Sequence, residues 1–137
     1  MHDLDLVLAS LELAGERAGD ITAAAYEHYF ARCPESRQLM VLVDQYMRGR
    51  MLERVLQLLM TDDLECERSY LRFETRVHIS YGVAPYMYGN LMLGVCDAVR
   101  DALQKDWSAQ NEGAWARRLA YLDMEIKAAV AVAALPA

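Results

Sequence analysis

The segment YLRFETRVHISYGVAPYMY, residues 70–88, decides how the chain is organised. It predicts a helix that carries His78 and ends at Ser80, then a break, and then a second helix that begins at Pro85. Gly82 suits the break, because glycine adopts backbone angles that a β-carbon forbids. Pro85 suits a first helical position, where the N–H that proline lacks would be unpaired in any case. His78 is therefore expected near the end of one helix, facing whatever the next helix packs against.

Two interpretations of His78 follow from this spacing. A histidine that ligates haem iron must be a neutral imidazole held beside an apolar slot, and the predicted placement meets that requirement. A histidine that is buried and hydrogen-bonded within the core would give the same pattern, so the spacing leaves both interpretations open. The other two histidines are poorer ligand candidates, because His2 is terminal and His28 lies roughly opposite Tyr26 on its helix.

The composition is that of one acidic, globular domain. The chain has 137 residues, 55% of them hydrophobic, which is enough for one sizeable core but not for a sensor plus a catalytic partner. Twenty acidic and fourteen basic residues give a net charge of −6 without a basic cluster, so nucleic acid is not an expected partner. No apolar run reaches the roughly 18 residues of a membrane span, and the acidic N-terminal residues do not resemble a signal peptide. A soluble, cytoplasmic protein that does not enter a membrane is expected.

The cysteines point to no special chemistry. Cys33, Cys66 and Cys96 are widely spaced and form no CxxC pair. This pattern favours neither a disulfide framework nor a zinc site. Reduced, structural thiols are the interpretation that suits a cytoplasmic chain.

Apolar residues recur at helical spacing along most of the chain, and no stretch alternates as a strand would. The first helix is expected to end near Gly15, and the second to span Ile21–Arg32 before Pro34 stops it. A short turn, Glu35–Met40, should then lead to a helix that begins near Gly49. The remaining expected boundaries are a cap at Thr61–Asp63, a helix end at Ser80, a helix from Pro85 to about Lys105 and a last helix capped by Ser108. The sequence thus predicts an all-α fold of six or seven helices.

Three segments together resemble the sensor globins, the haem domains of globin-coupled sensors. HISYGVAP, residues 78–85, is similar to the proximal segment of that family, where the histidine is followed by a small residue, an aliphatic residue and a proline at these offsets. AAAYEHYFARCPE, residues 23–35, resembles the globin B helix and BC corner, and AWARRLAYLDMEI, residues 114–126, is similar to the last globin helix. The resemblance implies a globin-like 3-over-3 helical fold, with residues 1–137 as a single domain.

The resemblance also implies roles for particular side chains. His78 would ligate the iron of haem b, with its second ring nitrogen held by Glu74, Thr75 or a backbone carbonyl. Tyr26 would lie on the distal side and donate a hydrogen bond to dioxygen; without the resemblance, a core tyrosine bonded to a carbonyl is the alternative. The other residues expected to line the cofactor are Phe30, Met40, Met51, Val55, Tyr81, Val83 and Tyr88.

The distal helix is placed by aligning Gly49 with the glycine that precedes this helix in the family. Met51 then takes the position where oxygen-storage globins usually have histidine or glutamine, and Val55 lies one turn on. The alignment requires a one-residue insertion before Gly49. Without that insertion, Arg50 would face the pocket, where a charge needs a partner.

Two departures from the globin pattern bear on function. Met40 or Leu39 stands where globins wedge an aromatic residue against the haem, and a methionine fills that space without the stacking contact. The end of the last helix has no glutamate that faces the proximal histidine, unlike flavohaemoglobins, in which a carboxylate and a tyrosine make the iron more reactive. Neither an enzyme nor catalytic residues are therefore expected.

The last two helices are more apolar than one-sided burial requires. Leu93, Val95 and Val99 cover more than one stripe of the first, and residues 128–135 of the second are apolar all round, up to a break at Pro136. This pattern favours a homodimer through these two helices. A linker helix whose partner is missing would look the same.

The function that the resemblance implies is gas sensing. The module would bind dioxygen reversibly, or carbon monoxide or nitric oxide, and relay its ligand state through the last two helices to an output domain or protein in trans. A haem-free globin-fold protein for interaction or stress signalling is one alternative. A stand-alone globin that handles nitric oxide or peroxide is another.

Overall fold

The computed structural model describes residues 2–133 and 135, and its regular elements are all helical. The helices are α1 (Asp3–Ala18), α2 (Thr22–Arg32), α3 (Pro34–Leu39), α4 (Gln45–Met60), α5 (Arg68–Ser80), α6 (Pro85–Leu103) and α7 (Ala109–Ala133), with 3₁₀ turns at Leu64–Glu67 and Gln104–Asp106. The prediction of an all-α fold with six or seven helices is confirmed, and no strand occurs in this part of the chain. The break expected at Pro136 lies outside the described residues.

Helix α1 continues past Gly15, where its end was expected, to Ala18. The Gly19 N–H donates to the Gly15 carbonyl at 2.9 Å, and a positive φ of 68° at Gly19 then ends the helix. One glycine inside a helix costs only about 1 kcal/mol relative to alanine, so Gly15 is tolerated there. The second of the two glycines, not the first, is the helix terminator.

Helix α3 replaces the turn that was expected at Glu35–Met40. The Pro34 ring holds Cys33 out of the helical region, at φ −139° and ψ 74°, and so stops α2. The same ring suits the first position of a helix, so Pro34 also begins α3. Ser36 fixes this corner, because its buried Oγ accepts a hydrogen bond from the Tyr29 hydroxyl at 2.6 Å.

Helix α4 begins at Gln45, earlier than the start near Gly49 that was expected. The Asp44 carboxylate caps it by accepting the Met47 N–H at 2.8 Å. The later boundaries agree with the sequence. Asp63 caps the first 3₁₀ turn, and α5 ends at Ser80. Helix α6 begins at Pro85, as predicted.

Helices α2 and α6 cross so closely that only glycine fits between them. A β-carbon on Gly94 would lie 2.7 Å from the Ala25 carbonyl oxygen and 2.9 Å from the Tyr29 nitrogen. The core extends from this crossing to the predicted inner face of α7. The buried residues of that face are Trp115, Leu119, Leu122, Ile126 and Ala129.

The remaining helices, α4 and α5, have different packing neighbours. Helix α4 packs against α1, α2 and α7, whereas α5 packs mainly against α7 and the 3₁₀ turn that precedes it. His78 lies on α5, and Met51 and Val55 lie on α4. None of the helices within residues 2–133 is long and apolar enough to cross a membrane.

Candidate functional site

His78 lies half-buried in the last turn of α5, and its ring orientation is fixed by one hydrogen bond. Nδ1 is 2.7 Å from the Glu74 carbonyl oxygen. Because a carbonyl can only accept, Nδ1 must carry the proton, and the neutral ring then presents an unprotonated Nε2. Of the three acceptors considered from the sequence, the structure selects the backbone carbonyl. This tautomer is the one that a histidine needs in order to ligate a metal through Nε2.

The turn after α5 is closed on the His78 carbonyl. That oxygen accepts the N–H of Tyr81 at 3.0 Å and of Val83 at 3.1 Å, while Gly82 takes a positive φ of 89°. Val83 is half-buried and packs against the core, whereas Tyr81 is 72% exposed. Of these two predicted lining residues, only Val83 faces inward in this structure.

Tyr88 packs edge-on against the His78 ring, with centroids 6.0 Å apart and planes at 75°. Its hydroxyl is buried and has no hydrogen-bond partner among the described residues. Burial, with smaller contributions from Glu74 and Tyr29, raises the pKa of Tyr88 to about 12, so the hydroxyl stays protonated at neutral pH. A buried hydroxyl without a partner costs free energy that a polar ligand group would recover.

Tyr26 is buried on α2, 2% exposed, and its hydroxyl donates to the Arg48 carbonyl oxygen at 3.3 Å. This length is beyond the usual range for an O–H donor, so the bond is weak. Burial is the main cause that raises the pKa of Tyr26 to about 12, with Tyr29 adding to it and Arg48 opposing it. Phe30 lies against the Tyr26 ring, with centroids 5.9 Å apart. The carbonyl partner is the one that the core-tyrosine interpretation expected.

Arg48 is the residue of this region that the sequence did not indicate. Its guanidinium carbon lies 5.7 Å from the Tyr26 ring centroid and 5.3 Å from that of Phe30, within the range of cation–π attraction. Nη2 donates to the Met40 carbonyl at 3.4 Å, whereas the buried Nε has no hydrogen-bond partner among the described residues. The sequence pattern that could have identified Arg48 is the apolar face of α4, because position 48 lies on that face one turn before Leu52.

Met51 and Arg50 lie on different sides of α4. Met51 and Val55 are half-buried and pack against the core. Arg50 is exposed, where Nη1 donates to the Tyr46 hydroxyl at 3.2 Å and Nε lies 3.8 Å from Glu53. Met51, not Arg50, therefore faces the interior. Met40, at the end of α3, is also buried.

The structure gathers several of the predicted residues, together with Arg48, into two groups, which we name after the roles that the resemblance implies. His78, Val83 and Tyr88 form a proximal group on α5, on α6 and in the turn between them. Tyr26, Phe30, Met40 and Arg48 form a distal group around α2 and the start of α4. A side-chain link between the two sides runs from Arg54 of α4 to Glu74 of α5, and it was not predicted either.

Large apolar side chains are exposed next to both groups. Leu42 is 94% exposed, and Leu39 lies 3.7 Å from the position of a β-carbon added to Gly82, so the two corners meet. We call these residues the corner patch; its members are Leu39, Val41, Leu42, Tyr46, Met47 and Tyr81. Contiguous exposed apolar surface is typical of sites that bind a ligand or a partner, so the corner patch is a candidate for either.

Within the part of the chain that the structure describes, no group of three or more His, Cys, Asp or Glu side chains is placed to hold a bare metal ion. Comparison with protein-family models found none that matches the chain, and comparison with curated proteins found no match either.

Proposed function

We propose that the chain is a haem-binding globin that binds dioxygen reversibly and acts as a gas-sensing module. The observation that carries the proposal is the state of His78. Its Nδ1 is committed to the Glu74 carbonyl at 2.7 Å, so Nε2 keeps the lone pair that an iron ligand needs. Haem b requires only one such protein ligand, and its iron supplies the reversible binding of a diatomic gas.

Two kinds of side chain support a haem site at His78. The Tyr88 hydroxyl is buried and adjacent and has no hydrogen-bond partner among the described residues, so it is available to a polar group of the cofactor. Met40, Phe30 and Val55 supply buried or half-buried apolar surface that excludes water. The corner patch would be covered in part by the cofactor's edge. We assign haem-lining roles to Met51 and Val83 on the same grounds, and to Tyr81 as an exposed member of the corner patch at the edge of the cofactor.

Tyr26 is the distal donor in this proposal. Its hydroxyl is protonated at neutral pH, and its present acceptor, the Arg48 carbonyl at 3.3 Å, holds it weakly. A small rotation would redirect it to a gas molecule bound at the iron. One hydrogen bond of about 1–3 kcal/mol would slow dioxygen release roughly 5- to 150-fold, at 1.4 kcal/mol per decade. Carbon monoxide is less polarised and gains less, so Tyr26 favours dioxygen.

Sensing requires that the gas binds more tightly to one of two states of the protein. We place the relay in α6 and α7, because the proximal group is built on the start of α6 and α5 packs along α7. Leu93 and Val132 are exposed on these helices, 38% and 37% respectively, and would contribute to a homodimer. The output would be a domain or protein in trans, and a cytoplasmic location without catalytic activity is part of the proposal.

The corner patch also favours a second candidate function. Five large apolar side chains between residues 39 and 47 are exposed, and Leu42 is almost wholly so. If a partner protein rather than haem covers them, the chain is a haem-free globin-fold interaction module. The absorption spectrum separates this function from the first.

The test compares the spectra of the native protein, His78→Ala and His28→Ala in ferric, reduced and air-equilibrated states. His28 is the matched control, because its Nε2 is bonded to Asp101 at 2.6 Å on the surface. We expect a Soret band in the native protein and in His28→Ala that is lost or displaced in His78→Ala. A folded native protein that takes up no added haem, or a His78→Ala spectrum equal to the native one, would refute the proposal.

A further inference from the structure

Arg54 of α4 lies between two carboxylates that belong to the other side of the candidate site. Its Nε lies 3.1 and 3.0 Å from the two Glu74 oxygens, and Nη2 lies 2.8 Å from Oε1 of the same residue. Nη1 and Nη2 also reach Glu67 at 3.4 and 3.2 Å. The three side chains are each only 19% exposed.

This arrangement is tighter than a surface ion pair. The planar guanidinium presents a fork that matches the two Glu74 oxygens, which gives geometric specificity as well as attraction. Burial alone would lower the pKa of Arg54, but Glu74 and Glu67 together raise it well above the usual value. The Tyr70 ring lies 5.0 Å from the guanidinium carbon, within the range of cation–π attraction, and the three charged side chains are mostly buried. Ordinary ionic strength should therefore screen the link only weakly.

The position of this link connects it to the two sides of the candidate site. Arg54 precedes Val55 on α4, the helix of the distal wall. Glu74 is one turn before His78, and its carbonyl is the acceptor that fixes the His78 ring. The main packing neighbours of α5 are α7 and the 3₁₀ turn, and the Arg54 link joins α5 to α4 one turn before the histidine.

We propose that Arg54 is a positioning residue of the haem site. Through Glu74 it sets the separation of α4 and α5 and the orientation of the His78 ring, and thereby how long haem is retained. This inference rests on the proposed function. It adds a side chain that touches neither the cofactor nor the gas.

The experiment measures haem transfer from the reconstituted protein to an excess of apomyoglobin. Arg54→Gln removes the charge, and Glu74→Gln removes the carboxylate but keeps the carbonyl that holds His78. Arg50→Gln is the matched control, because Arg50 lies one turn earlier on α4 and pairs only with exposed groups of its own helix. We expect haem loss about tenfold faster in the first two variants, equivalent to about 1.4 kcal/mol, and native-like in the control. The double variant should lose haem no faster than Arg54→Gln alone, because Arg54→Gln already removes the link to Glu74.

Two further readouts distinguish positioning from a general loss of stability. The iron–histidine stretching frequency of the reduced protein should shift in Arg54→Gln and Glu74→Gln but not in Arg50→Gln, because the Glu74 carbonyl moves. In the haem-free protein, amides of residues 72–80 should exchange faster in Arg54→Gln than in the control.

The two proposals fail in different ways. A native protein that binds no haem refutes the proposed function, and the retention role with it. A native protein that binds haem, with both variants losing it at the native rate and with an unshifted iron–histidine frequency, refutes the role of Arg54 alone. If Arg54→Gln does not fold, Glu74→Gln carries the same test.

Discussion

The substitution Arg118→Met should destabilise the protein strongly, because Arg118 of α7 caps the C-terminus of α4. Arg118 is 7% exposed, and its guanidinium donates to the carbonyls of Leu59 at 3.1 Å and Leu58 at 3.2 Å. It also donates to those of Thr61 and Asp62. These carbonyls belong to the last turn of the helix and to the turn after it, where few backbone N–H groups are left to pair with them; that of Leu58 also accepts the Thr61 N–H at 3.3 Å. Methionine fills the same space but offers no donor.

The magnitude follows from the carbonyls that water reaches least. Without Arg118 the Leu59 carbonyl is unpaired, which costs about 1–3 kcal/mol, whereas the Leu58 carbonyl still accepts the Thr61 N–H at 3.3 Å. Part of the cost is offset because a guanidinium is no longer buried. The net loss in the free energy of unfolding should be about 1–3 kcal/mol. With an unfolding entropy of about 2.1 cal/mol/K per residue over 137 residues, Tm should fall by about 3–10 °C.

The assay is thermal and urea unfolding followed by circular dichroism, with Arg117→Met as the control. Arg117 is adjacent in sequence but 64% exposed in its side chain, where it pairs with Asp3 at 2.8 Å. Its replacement should cost less than about 1 kcal/mol. If Arg118→Met lost no more stability than Arg117→Met, the reasoning that Arg118 terminates α4 would be refuted.

Three other substitutions test the packing and electrostatics of the fold. Gly94→Ala should lose about 1–3 kcal/mol in urea unfolding, because the new β-carbon meets the backbone of α2 at 2.7 Å; a native-like midpoint would contradict the crossing. Ser10→Ala should lose about 1–3 kcal/mol by the same measurement, since it orphans the buried Trp115 Nε1, which donates to Ser10 Oγ at 2.8 Å; no loss would mean that this bond is dispensable. Burial alone would raise the pKa of the Asp97 carboxyl, but Arg32 and Arg100 hold it below its usual 3.8. The ion pair therefore stabilises the fold above about pH 4 and is lost as pH falls below it. Asp97→Asn should accordingly make the free energy of unfolding depend less on pH between pH 4 and pH 2. An unchanged pH dependence in this range would count against the ion pair.

The sequence predicted those parts of the fold that local chemistry decides. Asp63 and Ser108 cap their elements, and Pro85 begins α6, because side-chain oxygens and a missing N–H act on neighbouring backbone groups. Pro34 shows that one residue can have two opposite local effects on helix formation. The same ring disfavours helix before it and favours helix after it, and the prediction used only the first effect. Gly15 was misjudged because the weak preference of one residue does not end a helix.

For a related reason, only part of the candidate site was predicted from the sequence. His78 and Tyr26 were selected from short sequence patterns, and a backbone carbonyl was among the acceptors expected for His78. Arg48 and Arg54 were not predicted, because a long side chain reaches across elements and its partner depends on tertiary structure. Nothing local indicates that Arg54 meets Glu74, twenty residues further along the chain.

The most direct test of the central claim is imidazole rescue of His78→Gly. This substitution removes the ring and leaves a space that free imidazole can enter. If His78 is the iron ligand, His78→Gly reconstituted with haem should lack the native spectrum of the reduced protein, and added imidazole should restore it. Rescue should not occur with 2-methylimidazole to the same extent, because its methyl group crowds the ligating nitrogen. A His78→Gly protein whose spectrum equals the native one without imidazole would contradict the account.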